Sequence, residues 1–509
     1  MDETVSTAEL QAAIAEKDQQ ITQLKWELAE LRRLVFGAKK ERFEADASPE
    51  QLHLFEATPD TPAAEEESEQ ITYTRKKRKH PGRTTLPDHL PTEEILIEPE
   101  QDTAGMKVIG QQITETLDYR PGVLLKRRYI RNKYARVAMD ESQSEEPVNP
   151  SSPIIMGSLP PRPLPKCIAE SGLLAHLIVA KFVDHLPFYR QIQQFKRNHG
   201  WQISDSTLND WFTACCLLLE PLYAAHLRRV MDTDYLQADE SPIKVLGSVK
   251  KGQSHRGYMW VYRNPINGLV LFDYRRGRDQ QGPAQQLSEF AGYLQCDGYK
   301  VYTSISEAYK DRIQLVSCLA HIRRKFYQAR AHHPKLANQA LTWIQQLYAL
   351  ERKYREKELS ADQRQQERHK EARPIYEKLL RWVQAEQPRQ LRKGPLGEAL
   401  YYALRQLPKL TAYLEDGRIE IDNNLIENAI RPLALGRKNY LFAGSHAGAE
   451  RVAMMYSFFA SCKVHEVNPW EWLKDVLERI GDHSVNQLEE LLPHQWKPRA
   501  ADNPPAKAP

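Results

Sequence analysis

The chain has 509 residues, 41% of them hydrophobic and 27% charged, with a formal net charge of +4. That length holds about three domains, and no apolar run approaches the roughly 18 residues of a membrane span. The opening Met1, Asp2, Glu3 is wrong for a signal peptide, and six scattered cysteines make no disulfide framework, so the chain reads as soluble and cytoplasmic.

Residues 8–43 read as one helix. Ile14, Ile21, Leu28 and Val35 recur every seven residues, and Leu10, Leu24 and Leu31 fill the offset position with Lys17 as the break. Such an a/d seam predicts a short coiled coil and a homo-oligomer. Its alternative is an amphipathic helix packed on its own domain.

Residues 44–85 read as a disordered linker, acidic and then basic, ending in RKKRKHPGR (75–83). Short alternating runs over 86–146 (EILIE, KVIG, ITETLDY, GVLLKRRYI) predict a small β-rich unit carrying a second basic run, KRRYIRNKYAR (126–136). Local basic stripes matter more for nucleic-acid binding than the small net charge. Arg75, Lys76, Lys77, Arg78, Lys79, Arg83, Lys126, Arg127 and Arg128 are therefore candidate DNA contacts, with solvated surface as the alternative. Residues 147–166 carry seven prolines and read as a linker or extended arm.

Residues 167–230 are strongly helical. PFYRQIQQFKRNHG ends on Gly200, suited to a helix C-cap, and Ser204 or Asp205 suits the next N-cap. Helix, tight turn, helix is compatible with a helix-turn-helix DNA reader, though such pairs also occur in ordinary helical domains.

From residue 231 the texture changes. YLQADESPIKVL, YMWVYRN and LVLFDYRRG read as three strands, GPAQQLSEFAG as a helix, YLQCDGYKVY as a fourth strand and IQLVSCLAH as a fifth after a short helix. That order is the one found in ribonuclease-H-like α/β cores. Residues from about 322 to 415 read as a helical insertion, the core spans 231–460, and 461–509 read as a C-terminal helix and disordered tail. The expected fold is thus multidomain α and α/β.

In such a core Asp239, on the first strand, and Asp297, at the end of the fourth, lie on neighbouring strands. Two close carboxylates repel unless a cation sits between them. A third acid completes the set if IDNNLIENAIRPL begins a helix capped by Asn423 or Asp422, with Glu427 about one turn in. Glu240, Asp416, Glu420 and Asp422 are rivals. Hard oxygen ligands suit Mg²⁺ or Mn²⁺, and two such ions can activate a nucleophile and stabilise the leaving oxygen of a phosphodiester. Arg431 lies one turn beyond Glu427 and can pair with it. Pro432 is expected to end or kink the helix, so that Arg437 and Lys438 emerge from a turn toward phosphates.

DESPIKV, CDGYKVY, CLAHIRRKF and above all DNNLIENAIRPLALGRKNYLFAGS resemble the transposases of the insertion sequence 66 family, TnpC type. FGAKKERF, HLPFYRQIQQFKRNHG and NPWEWLKDVLERI do so as well, in the family's order over roughly residues 10–480. The resemblance implies a DDE transposase in which Asp239, Asp297 and Glu427 are the metal ligands, with His321 and Arg324 of an HxxR motif facing the active site or DNA. It further implies element ends and target DNA as substrates, and two small accessory proteins as partners.

Two departures stand out. The family usually carries a zinc unit with two cysteine pairs near 86–146, yet here no cysteine precedes Cys167 and AGMKVIG stands where a CxxC is expected, so no four-cysteine zinc site forms there. Ser241 stands where Thr is usual. Elsewhere, Cys318-x-x-His321 and Cys462-x-x-His465 share a spacing, but Cys318 closes an apolar strand and no zinc is assigned to them. No nucleotide-binding fingerprint occurs. The alternatives to a transposase are a catalytically dead repressor that occupies the element's inverted repeats, and a ribonuclease-H-like nuclease that only hydrolyses.

Overall fold

A computed structural model describes residues 122–124, 133–134, 155–156, 162–165, 167–246 and 254–498, and those from 133 onward belong to one compact unit. The expected coiled coil, the acidic and basic linker with its basic run at 75–83, and the tail beyond 498 lie outside the described residues, as do most of the β-rich unit and all of the second basic run but Lys133–Tyr134. Strands β1 (Lys133–Tyr134) and β2 (Ile155–Met156) pair antiparallel, so the proline-rich stretch read as a linker supplies one side of a small ladder.

Three helices follow. α1 spans Ser171–Phe182, α2 Phe188–His199 and α3 Asp205–Met231. α2 ends where expected, on Gly200 with φ of 64°, a left-handed conformation that costs a residue without Cβ little. Ser204 caps α3 by accepting from the Thr207 N–H at 3.1 Å.

The sheet has five strands: β3 (Tyr235–Leu246), β4 (Ser254–Arg263), β5 (Val270–Arg275), β6 (Gly292–Gln295) and β7 (Ile313–Val316). Their spatial order is β5-β4-β3-β6-β7, with β3, β4 and β5 antiparallel and β6 and β7 parallel to β3. Helices α4 (Gln281–Gln286) and α5 (Lys300–Ala308) make the crossovers. Three strands, helix, strand, helix, strand is the order read from the sequence.

Alternation along β3 sorts its side chains. Leu236 and Ala238 join Trp260, Leu294 and Tyr302 in one core, while Tyr235 belongs to a second core on the other face. That second core is built largely by the insertion: α6 (Leu319–Ala329), α7 (Pro334–Glu356), α8 (Ala361–Glu367), a π-helical turn at Arg368–Ala372, α9 (Arg373–Glu386), α10 (Pro395–Leu410) and α11 (Ala412–Glu415). The insertion therefore covers a sheet face rather than standing apart.

The chain closes with α12 (Asn424–Tyr440), α13 (His446–Val464) and α14 (Pro469–Arg479). The boundary drawn at 460 falls inside α13, because that helix closes the sheet's edge. A free strand edge is a row of unpaired backbone groups. Ser457 and Ser461 hydroxyls accept from the Phe272 and Val270 N–H groups at 2.7 and 3.0 Å. From α3, Tyr223 donates to the Phe272 carbonyl at 2.6 Å and His226 Nε2 lies 2.8 Å from that of Val270. The helical region expected as a separate domain is thus fastened to the sheet by its own side chains. Among the described residues no helix is long and apolar enough to cross a membrane.

Candidate active site

Asp239 and its rival Glu240 are separated by strand alternation. Glu240 lies on the face of Leu236 and Ala238, where Arg278 donates to Oε1 and the Tyr302 hydroxyl lies 3.5 Å from Oε2. Asp239 lies on the opposite face with Tyr235 and Gln237, toward the segment that leads into α12. One carboxylate is neutralised by a guanidinium and the other is turned toward Glu427.

β6 brings Asp297 alongside. In the parallel ladder Gln237 pairs with Gln295, and each aspartate sits two residues farther on. Local backbone holds both carboxylates: Asp239 Oδ1 accepts from the Glu240 N–H at 2.7 Å and Asp297 Oδ1 from the Tyr299 N–H at 2.8 Å.

Glu427 comes from the first turn of α12. Asn423 holds the N-cap position, but Asp422 does the capping, its Oδ1 accepting from the Asn424 N–H at 3.0 Å. The Asn423 side chain instead donates to the carbonyl of Ala238, tying the helix start to the residue before Asp239. The remaining rivals are engaged elsewhere: Asp416 with Arg418, Glu420 with Arg364, and Asp422 with the Tyr348 hydroxyl.

Asp239 senses the charges of Asp297 and Glu427, and Glu427 senses that of Asp297. Burial, then the carboxylates of Glu240, Asp297 and Glu427, push the Asp239 carboxyl well above the usual range. Burial, with Asp422 and Asp297, pushes Glu427 up to about 7 against the opposing pull of Arg324 and Arg431. His321 Nε2 stands 4.0 Å from Glu427 Oε1, and burial drives its imidazole down to about 4. His321, Arg324 and Arg431 thus lie near Glu427, and Asp297 and Glu427 lie near Asp239.

Arg437 and Lys438 are placed differently from expectation. α12 runs through Pro432 to Tyr440, because Ile426, Ile430, Leu433 and Ala434 bury one face on either side of the proline. Both basic residues thus lie in its last turn. The Arg437 guanidinium donates to Ser241 Oγ at 3.0 Å and to the Pro242 carbonyl, strapping α12 to β3, while Lys438 is exposed.

Among the described residues no three metal-ligating side chains already close around a point. A magnesium site does not require that, since it is ordinarily made by one or two carboxylates, waters and substrate phosphates. Hard oxygen donors from β3, from just past β6 and from the first turn of α12 fit such an ion. Cys318 and Cys462 are buried thiols, and Cys318 Sγ accepts from the Asn423 N–H at 3.2 Å, so it serves the helix start.

Sequence reasoning missed the buried amides of Gln237 and Gln295, although a signal was present: the two strands spell Gln-Ala-Asp (237–239) and Gln-Cys-Asp (295–297). It also missed Arg278, whose guanidinium lies 3.9 Å from the Tyr299 ring centroid beside Glu240.

Comparison with known proteins adds an independent line. Residues 166–451 match the model described as transposase IS66 family, 457–494 the IS66 C-terminal element, and 23–95 the model described as transposase C of IS166 homeodomain. The chain is 30% identical over 500 residues to "Uncharacterized protein y4jD" of Sinorhizobium fredii (strain NBRC 101917 / NGR234), covering 94% of this chain and 95% of that one. It is 31% identical over 516 residues to y4qI of the same organism, covering 97% and 92%. With its five-strand mixed sheet, its converging acids and a family match over more than half its length, the chain belongs to the IS66 family of DDE transposases.

Proposed function

We propose that this transposase binds the terminal inverted repeats of its insertion sequence and joins their 3′ ends to target DNA, through Asp239, Asp297 and Glu427 on a ribonuclease-H-like core. The observation that carries the reading is geometric: Asp239 and Asp297 each follow by two residues the paired Gln237 and Gln295, and Asn423 ties the start of α12, which bears Glu427, to Ala238 beside Asp239. The DDE family implies divalent metal ions. Two Mg²⁺ or Mn²⁺ ions bound there would supply an activated oxygen nucleophile and neutralise charge on the phosphodiester.

The chain's own residues do the rest. Asp239 presents oxygens from within β3 and Asp297 from the turn just past β6, and Glu427 presents a third from a helix whose start is tied to β3. Arg324 and Arg431 hold Glu427 toward its charged form. Water attack at the element end frees a 3′-hydroxyl, and that hydroxyl attacks a target phosphodiester in a direct transesterification. The leaving group is a DNA oxygen, so no covalent protein intermediate is needed. The basic runs at 75–83 and 126–136 and exposed Lys438 are the expected phosphate contacts, and self-association through residues 8–43 would bring two ends together.

The test incubates the full chain with a labelled duplex of the element end and a target plasmid, in Mg²⁺, Mn²⁺ or EDTA, beside Glu427→Gln. Metal-dependent joining that disappears in the variant is expected. Full joining by Glu427→Gln would overturn the site. End binding without cleavage by either protein, unchanged by the accessory proteins, would favour the repressor, and cleavage without joining the nuclease.

A further inference from the structure

Directly beneath the three acids lies a second tier of side chains that mirrors them. Gln237 and Gln295 are paired in the β3/β6 ladder, two residues before Asp239 and Asp297 respectively. Both side chains are fully buried. Gln237 Nε2 donates to Gln295 Oε1 at 2.9 Å, and the Tyr235 hydroxyl donates to that same oxygen at 2.6 Å. The amides then reach the segment that delivers Glu427: Gln295 Nε2 donates to the Glu420 carbonyl at 2.7 Å and Gln237 Nε2 to the Asp422 carbonyl at 3.3 Å. The Tyr235 hydroxyl closes the circuit by accepting from the Glu420 N–H at 3.0 Å. Each carrier of an acid, β3, β6 and the entry to α12, is thus laced to the other two one side-chain step away.

We infer that Tyr235, Gln237 and Gln295 are positioning residues that set the spacing of Asp239, Asp297 and Glu427 for divalent-ion binding. The inference rests on the site proposed above. Fold stability alone gives a poor account of this tier. Gln237 Oε1 is buried with no hydrogen-bond partner among the described residues, a costly arrangement that an apolar pair of the same shape would avoid. What the amides add is direction. A methionine fills the volume but fixes no distance between strand and loop, whereas second-tier hydrogen bonds orient the ligands beyond them.

The experiment uses full-length protein without DNA and measures Mn²⁺ binding by titration calorimetry and electron paramagnetic resonance, with thermal melting alongside. In the double variant Gln237→Met/Gln295→Met, which leaves the Glu420 and Asp422 carbonyls and the Tyr235 hydroxyl without these partners, we expect a lowered but still cooperative melting transition and a half-saturating Mn²⁺ concentration raised about tenfold or more. Strand joining should recover largely at saturating metal, a concentration dependence that a generally weakened fold would not give. Tyr235→Phe, which removes only the hydroxyl shared by Gln295 and Glu420, should raise the half-saturating concentration by a smaller factor. If the double variant fails to fold, Tyr235→Phe decides alone. Mn²⁺ affinity within twofold of wild type in the folded variants would overturn the inference. Asp297→Asn and Glu427→Gln run in parallel: if they also leave Mn²⁺ binding intact, the proposed site itself fails, and if they abolish it while the amide variants do not, only the positioning role fails.

Discussion

Asp239 and Glu240 are adjacent in the chain but lie on opposite faces of the sheet, because side chains alternate along β3. Glu240 is closed off by Arg278 and Tyr302, whereas Asp239 faces the entry to α12. Asp239→Asn should reduce metal-dependent joining by at least about a hundredfold, as expected for loss of a metal-coordinating charge. Glu240→Gln should keep most joining and lose about 1 kcal/mol of stability, since it breaks an ion pair with a partly exposed arginine. Joining assays and melting curves on the two variants check this, and equal loss of activity in both would contradict the separation by face.

How far the sequence disclosed this site depends on the distance over which each constraint acts. Strand alternation, the Gly200 and Ser204 caps and the order of sheet elements are local, and they were legible. The amide tier was not, because Gln237 and Gln295 meet only once β3 and β6 are paired. Pro432 misled for a related reason. Its cost is local, but burial of Ile430 and Leu433 against distant elements offsets it and carries the helix on. Arg437 was then misplaced in turn, since its partners Ser241 and Pro242 lie almost two hundred residues upstream. The motif carrying Glu427 was conspicuous, and its family resemblance already singled Glu427 out over Asp422; the structure adds that Asp422 is engaged at the helix start and by Tyr348.

His226 should make the fold acid-sensitive. Burial lowers its imidazole from 6.5 to about 4. The unfolded chain therefore takes up a proton between those values while the folded one does not. The contribution is fully present above pH 6.5 and is lost as pH falls to about 4. By linkage it amounts to about 3 kcal/mol across that window. His226→Gln, able to keep a donor toward the Val270 carbonyl, should flatten that part of the stability profile relative to wild type. Denaturant titrations at several pH values compare the two, and parallel profiles would show that His226 does not titrate this way.

Closure of the β5 edge predicts a paired result at α13. Ser457→Ala leaves the buried Phe272 N–H without its 2.7 Å acceptor and should cost about 1–3 kcal/mol. Ser461→Ala should cost a similar amount at Val270. Ser457→Thr restores the hydroxyl but adds a methyl inside a packed helix face, so it should recover only part of the loss. Urea unfolding midpoints are the measurement, and a neutral Ser457→Ala would mean that the edge finds another acceptor.

Arg368 and Glu351 form the most deeply buried ion pair described, both essentially without solvent exposure. The pair is bidentate at 2.9 Å on each arm, and the guanidinium also donates to the carbonyls of Tyr413 and Asp416 at 2.9 and 3.1 Å. Those carbonyls begin the segment that runs to Glu427, so Arg368 anchors its upstream end. Arg368→Met strands the Glu351 carboxylate in the core and should cost about 3–5 kcal/mol. Adding Glu351→Leu removes the stranded charge and should restore more than half of that loss, leaving the deficit of the orphaned carbonyls and of the Tyr413 hydroxyl that bonds Glu351. Chemical denaturation of the two singles and the double closes the cycle. A double variant no more stable than Arg368→Met alone would mean that the carbonyl anchors, and not the charge pair, carry the energy at this joint.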